Sequence, residues 1–492
     1  MKHYKLLFLL TLTAFTSCKK FEEFQTNPNN PQIADPSLLL PSIERTAFST
    51  ISVDAALASR HLVYTQSVSN AQYYGWQRNS MSYANITQVV KMQQEAARTG
   101  KKNYRYIGKF FTDYYIVGMT QIFGDIPYSN MMQSIYANNF SDSAVIRPAY
   151  DKQQDVYRGV LDDLKIAGDS LSANELAVTG DVIYDGNIDK WKRLINSFTL
   201  RVLMSLSKKE TDATLNIKQR FNEIVSNPAK YPLLTSNADN GKLPYYNITG
   251  NQYPFYNNNG MKTDYYLDST FVDILQDLND PRLFVFGKPM PSSTLGVKDF
   301  NAYDGLKGSA SLSYNTSKRG VGKASQINDR YSYQAINEPS LLMSYAELQF
   351  ILAEAVVRGW ITGNADTYYR NGIKASLEFS NFNSTYSATE INDYLAQPVI
   401  SLQTGNEIKQ IITQKYISMF MNTGWQPFYE QRRTGFPAFD VTGSGILNGG
   451  NIPKRWMYPA DEYTNNGVNV ENAVKSQYTN GDNINGVMWI LQ

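Results

Sequence analysis

The chain has 492 residues, long enough for a large core in one domain or two intimate ones. Its 46 Lys and Arg nearly balance 44 Asp and Glu, and Lys2 and Lys5 supply the difference, so neither a nucleic-acid surface nor a basic membrane-binding face is expected. One cysteine and two histidines exclude an internal disulfide, a multi-histidine zinc site and a Cys/His zinc site in the processed chain.

Lys2 and Lys5 form a positive n-region. Leu6 to Phe15 follow as an apolar run of about ten residues, too short to span a bilayer and typical of a secretory signal. Thr16, Ser17 and Cys18 come next. A cysteine placed after small residues at the end of such a run reads as a lipobox, with Phe15 standing where leucine is common. The reading is that residues 1–17 are a removed signal peptide and Cys18 becomes a lipid-carrying N-terminus. Each buried methylene of an acyl chain contributes about 0.8 kcal/mol, and more than one chain makes the anchor stable. The Cys18 thiol is then a thioether and no nucleophile. His3 leaves with the signal, so a Ser-His-Asp triad would have to use His61. After the signal no apolar run reaches the ~18 residues of a membrane-spanning helix.

Residues 18–40 read as a lipidated tether and a lead-in segment, polar and punctuated by Pro28, Pro31 and Pro36. From 41 to 492 a single, mainly α-helical domain is expected. Helical patterning runs from about Pro41 to Ser69, Ile86 to Arg98 and Tyr104 to Phe123, where Ile107, Phe111, Tyr115, Gly118 and Ile122 recur at three-to-four spacing. Gly124 and Pro127 end that helix. Asp151 to Leu171 is the cleanest amphipathic stretch, with Asp151 as its expected cap. Further helices are expected at Ile188 to Leu206, Leu341 to Trp360, Ala365 to Glu378 and Ile408 to Phe420. Between about 234 and 336 the periodicity fails, apart from a short helix at Thr270 to Leu278 closed by Asp280 and Pro281. A hundred residues of this kind inside a helical scaffold form more than a connector, and their tyrosine content argues against disorder. Paired helices of ~15–20 residues suggest tetratricopeptide-like hairpins without a fixed period.

The motifs resemble those of the SusD/RagB-like nutrient-binding outer-membrane lipoproteins of Bacteroidetes. The resemblance is carried by FGDIPY at Phe123 to Tyr128, by Tyr150 to Leu171 and by Asp181 to Ser207. It continues through NDPRL at Asn279 to Leu283, YDGLKG at Tyr303 to Gly308, Glu338 to Trp360, Gln414 to Phe436, and Ile452 to Asn472. It covers most of the processed chain, in order. Glu22 and Glu23, just past Cys18, resemble the surface-export signal of such lipoproteins. The resemblance implies a tetratricopeptide-like helical scaffold with a loop-rich ligand-facing region and no catalysis. It also implies partnership with a SusC-type TonB-dependent outer-membrane transporter, over which the protein acts as a hinged lid delivering oligosaccharide or peptide. No cofactor is implied.

The motifs define scaffold more than ligand contacts. Glu347 and Glu354 fall on one helix face amid apolar neighbours and are read as structural, pairing with helix ends or with Arg432 or Arg433. The two arginines are read as buried ion-pair partners, and Asp125 as a turn or cap residue. No spaced carboxylate loop identifies a calcium site, and no metal ligands are assigned. Aromatics make up 13% of the chain, including 35 tyrosines. Tyrosine and tryptophan pair flat apolar faces with polar tips and suit wet, polar ligands such as sugars. The residues expected to bind ligand are Tyr73, Tyr74, Trp76 and Arg78 of the first irregular stretch, with Trp76 foremost. Asn251, Tyr253, Phe255 and Tyr256 of the second join them, and the aromatic loops favour glycan over peptide. Two rival readings are a glycoside hydrolase working through a carboxylate pair and a purely structural transporter subunit.

Overall fold

Asp35 accepts a hydrogen bond from the Ser37 amide at 3.0 Å and Pro36 takes the first helical position, so α1 runs Pro36–Phe48. The computed structural model describes residues 34–381 and 384–492; the signal peptide, Cys18 and most of the tether lie outside the described residues. The helix begins earlier than the helical patterning read from about Pro41. Pro41 removes one backbone hydrogen bond inside α1, but the Asp35 cap starts the helix earlier, and Leu40, Ile43, Ala47 and Phe48 bury one continuous stripe.

The scaffold is a run of antiparallel helix pairs. After β1 (Leu62–Tyr64) come α2 (Tyr83–Thr99) and α3 (Lys102–Phe123), joined through Gly100 in the left-handed region at φ 71°. Next are α4 (Gln153–Ser170) and α5 (Ile188–Ser205). Packing runs α1 on α2, α2 on α3, α3 on α4 and α4 on α5. Asp151 does not cap α4. Asp125 of the FGDIPY turn does, its Oδ1 accepting from the Gln153 amide at 2.8 Å, while Asp151 takes the Tyr128 and Ser129 amides and closes the turn.

The irregular region contains β2 (Gly241–Leu243), β3 (Tyr265–Leu267) and α6 (Ser269–Asp277). β4 (Ser340–Met343), α7 (Tyr345–Val357), α8 (Ala365–Ser380), α9 (Glu407–Ser418) and α10 (Gln426–Thr434) follow. Two small antiparallel sheets pin that region to the scaffold. β1 pairs β3 with Leu62 opposite Leu267 and Tyr64 opposite Tyr265; β2 pairs β4 with a register irregularity at Gly241/Lys242.

α7 is apolar all round, as a helix enclosed on every side must be; it packs on α5, α8 and α9. The charges it carries are therefore paired. Glu347 takes both arms of Arg201 from α5, with Arg201 Nε at 2.7 Å. Glu354 takes both arms of Arg433 from α10 at 2.6 and 2.7 Å. Glu430 joins through Arg433 at 2.5 Å and through Lys415 of α9 at 2.9 Å. Burial would raise the Glu430 carboxyl, but Arg433 and Lys415 hold it down at about 2. The structural reading of Glu347, Glu354 and Arg433 holds. Arg432 departs from it: among the described residues it forms no ion pair. Instead it donates to Gln121 Oε1 and the Lys454 carbonyl and lies 4.7 Å from the Tyr429 ring centroid.

Candidate binding cleft

A cavity of about 300 Å³ opens where the end of α1, the middle of α3 and the start of α10 converge. Helical spacing aligns Tyr114, Tyr115, Gly118 and Ile122 of α3 along one wall. Trp425 and Tyr429, one turn apart at the start of α10, form the facing wall, and Phe198 of α5 closes the back. Hydroxyls and amides complete the lining: Thr46, Ser49 and Ser52 on the α1 side, with Gln121 and Gln426. None of the lining side chains is charged.

The turn ahead of α10 borders the cavity and is held in a strained backbone conformation. Met421, Thr423 and Gly424 all have positive φ, at 53°, 59° and 61°. Asn422 holds the turn: its Oδ1 accepts from the Leu341 amide of β4 at 2.7 Å and its Nδ2 donates to the Pro339 carbonyl at 3.0 Å. A β-branched residue in the left-handed region is strained by on the order of 1–3 kcal/mol. Thr423 carries this strain, is 6% exposed, lines the cavity, and its Oγ1 has no hydrogen-bond partner. Tyr114, Tyr115 and Tyr429 likewise make no side-chain hydrogen bond through their hydroxyls among the described residues. Burial raises all three above the usual phenol range, so they remain neutral donors and acceptors. Flat aromatic faces carrying the unpaired hydroxyls of three tyrosines, with further hydroxyls and amides around them, suit a neutral, hydroxyl-rich ligand.

The residues expected from sequence lie elsewhere, and the platform expected from Tyr73, Tyr74, Trp76 and Tyr253 is corrected: protein occupies their faces. Trp76 is 7% exposed, stacked on Trp456 at 4.7 Å, edge-on to Phe428 at 5.4 Å and Trp425 at 5.7 Å, with its indole N–H donating to the Arg455 carbonyl. Tyr74 is buried under Arg60 and donates to the Ala58 carbonyl. Tyr73 is buried against Gly445. The reason is the C-terminal segment, which pairs with this stretch: Leu447 N–H donates to the Tyr73 carbonyl and Met457 N–H to that of Gln77. Tyr253 packs between Tyr245 and Phe255. Arg78 is exposed and pairs with Asp482 at 3.1 Å; Asn251 accepts from Arg45 of α1; Phe255 and Tyr256 are half-buried. The two groups do not converge on the cavity. Trp76 reaches it only from behind, through Trp425.

His61, Glu347 and Glu354, the groups considered for catalysis from the sequence, are enclosed by protein. His61 is buried, stacked on Tyr416 at 4.3 Å, and burial pushes its imidazole down to about 3, so it stays neutral and enclosed. Glu347 and Glu354 are locked in ion pairs. Among the described residues no group of three His, Cys, Asp or Glu gathers to hold a metal ion, and no helix is long and apolar enough to cross a membrane.

Comparison with known proteins gives a consistent result. The profile of a SusD-like family, described as starch-binding and associating with the outer membrane, matches residues 28–459. No curated protein sequence matches the chain. Among solved structures, a SusD homologue of Bacteroides fragilis is 39% identical, with 93% of this chain and 99% of that one covered at a TM-score of 0.84. An outer-membrane protein of Bacteroides vulgatus described as involved in nutrient binding is 36% identical, with 93% and 100% covered at a TM-score of 0.83. A chitin-binding protein is 26% identical, with 93% and 99% covered at a TM-score of 0.72.

Proposed function

This chain belongs to the SusD-like family, and we propose that it is a surface lipoprotein, anchored through Cys18, that binds a neutral oligosaccharide in the cleft between α1, α3 and α10. In this reading it passes the ligand to a SusC-type TonB-dependent transporter. The observation that carries the reading is the cleft lining: aromatic faces and the unpaired hydroxyls of Tyr114, Tyr115 and Tyr429, with no charged group to match a peptide's termini. Trp425 forms part of the wall, so ligand entry changes its surroundings.

The experiment titrates protein beginning at Lys19 with starch- and chitin-type oligosaccharides and with peptides, following tryptophan fluorescence, and checks every ligand for cleavage by mass spectrometry. Saturable binding of an intact oligosaccharide is expected. Gly118 supplies the control. A Cβ added there meets nothing within 4 Å, so a longer side chain fills the cleft without a backbone clash. Gly118→Leu is expected to abolish binding while leaving the protein as stable as the parent or up to about 1 kcal/mol more so, because glycine is the poorer helix former. Cleaved ligand, or undiminished binding by Gly118→Leu, overturns the reading.

A further inference from the structure

A second cleft lies between α6 and α9, away from the α1–α3–α10 site, with a volume of about 420 Å³. One wall is the face of α6 that carries Asp273, Ile274 and Asp277, one helical turn between the carboxylates. The other is the face of α9 that carries Lys409 and Thr413, and Pro437 and Ala438 close one end. Tyr369 of α8 lines it from beneath. It is 1% exposed, yet its hydroxyl has no hydrogen-bond partner among the described residues. Neither carboxylate has a cation within salt-bridge distance in the described residues, and Lys409 has no carboxylate. Lys318 pairs instead with Asp304, at 2.6 Å. Asp273 and Asp277 are exposed on the cleft's rim, and partial burial, with Asp304 and Asp277 close by, pushes the Asp273 carboxyl above its ordinary value against the opposing pull of Lys318.

An apolar floor from Ile274 and Leu278, a buried phenol with a free hydroxyl, and two unpaired carboxylates facing one ammonium form a site with an excess of negative charge. The volume is that of a small-molecule pocket. We propose that the α6–α9 cleft is a second, independent binding site for a compact organic cation, a primary amine or guanidinium carried on an apolar body. The cation sits between Asp273 and Asp277, the apolar body lies on Ile274 and Leu278, and the Tyr369 hydroxyl meets a polar group of the ligand. Lys409 works against the cation and sets the selectivity for ligands that bring one positive charge.

The test titrates the protein with phenethylamine and with its neutral counterpart 2-phenylethanol by calorimetry, at low and high salt. Saturable binding of the amine is expected, at least tenfold tighter than the alcohol and weakened by salt. A tripeptide with a central arginine tests whether the cation is also accepted as a side chain. Asp273→Asn/Asp277→Asn is expected to reduce amine affinity at least tenfold. Lys409→Gln is expected to increase it several-fold, a gain that misfolding cannot imitate. Gly118→Leu, which fills the other cleft, is expected to leave it unchanged. Equal binding of amine and alcohol, no saturable amine binding, or an unchanged affinity in either charge variant overturns the proposal.

Discussion

Replacing Trp76 by alanine separates two roles that its sequence position leaves open, ligand platform and core buttress. Trp76 is 7% exposed and touches Tyr74, Trp425, Phe428 and Trp456. A tryptophan buries roughly 150–250 Å², which at about 25 cal/mol per Å² is on the order of 4–6 kcal/mol. The indole bond to the Arg455 carbonyl, 3.2 Å long, adds about 1 kcal/mol. Alanine keeps part of the packing, and large-to-small changes of this kind cost about 3–5 kcal/mol, so about 4 kcal/mol is expected. With an unfolding entropy of about 2.1 cal/mol/K per residue over a cooperative unit of roughly 450 residues, that is a fall of about 4 °C in the midpoint. The assay is calorimetric unfolding beside an oligosaccharide titration. Trp76→Ala is expected to lose stability and, with Trp425 unsupported, to bind more weakly. Trp76→Phe is expected to lose about half as much stability and to keep its affinity. An unchanged midpoint with binding lost in both variants would refute the buttress and restore Trp76 as the platform.

Two further outcomes follow from buried groups. Glu44 is fully enclosed, and burial with Asp181 beside it pushes its carboxyl up to about 10, against 4.5 in the unfolded chain. The fold therefore holds a proton that the unfolded chain releases between those values. The stability is complete below pH 4.5 and declines as pH rises toward 10, by on the order of 4 kcal/mol at pH 7.5. Glu44→Gln is expected to flatten that slope in denaturant midpoints measured from pH 5 to 9; a parallel slope in parent and variant assigns it elsewhere. Thr423→Gly relieves a β-branched residue of its left-handed backbone and removes a buried hydroxyl without a partner, so a gain of roughly 0.5–1 kcal/mol with oligosaccharide affinity kept is expected. A variant that is less stable than the parent, or that loses binding while staying folded, contradicts it.

The helices were readable because their burial is periodic. The stripe of Val156, Val160, Leu164 and Ala167 announces α4, and the apolar run from Leu348 to Ala355 announces a helix enclosed on all sides. The helix Leu312–Gly320 escaped because it has no stripe: among its residues only Asn315 is buried, and Ser311 capping the Tyr314 amide starts it. The burial of the two aromatic stretches was illegible for a related reason. Sequence separates loops from helices, but it does not show which loop another segment will cover. Tyr73, Tyr74 and Trp76 look exposed until residues 443–458 fold over them. The residues that do line the cleft gave one faint sign, Tyr114 and Tyr115 side by side with Gly118 a turn later: two large flat groups and a missing one on a single helical face. The strained Thr423 gives no sequence signal, since its φ follows from the bonds Asn422 makes to 339–341.

The uncharged lining and the charged scaffold are two sides of one arrangement. Arg432 sits behind the cleft, donating to Gln121 and lying over the Tyr429 ring, so a cation fixes two lining residues without entering the site. Arg433 in the next position is held by Glu354 and Glu430, which fixes α10 against α7 and with it the direction of Trp425 and Tyr429. Trp76 and Trp456 support Trp425 from its far side. A neutral ligand offers no strong electrostatic handle, so affinity depends on aromatic planes and hydroxyls already standing where the ligand needs them, with little ordering left to do on binding. A site on packed helices meets that demand better than one on the tyrosine-rich loops, where Tyr73, Tyr74 and Tyr253 are buried in the protein's own packing. The buried ion pairs are weak evidence for stability as such; their position directly behind the cleft gives them a different value, that of holding its walls in register.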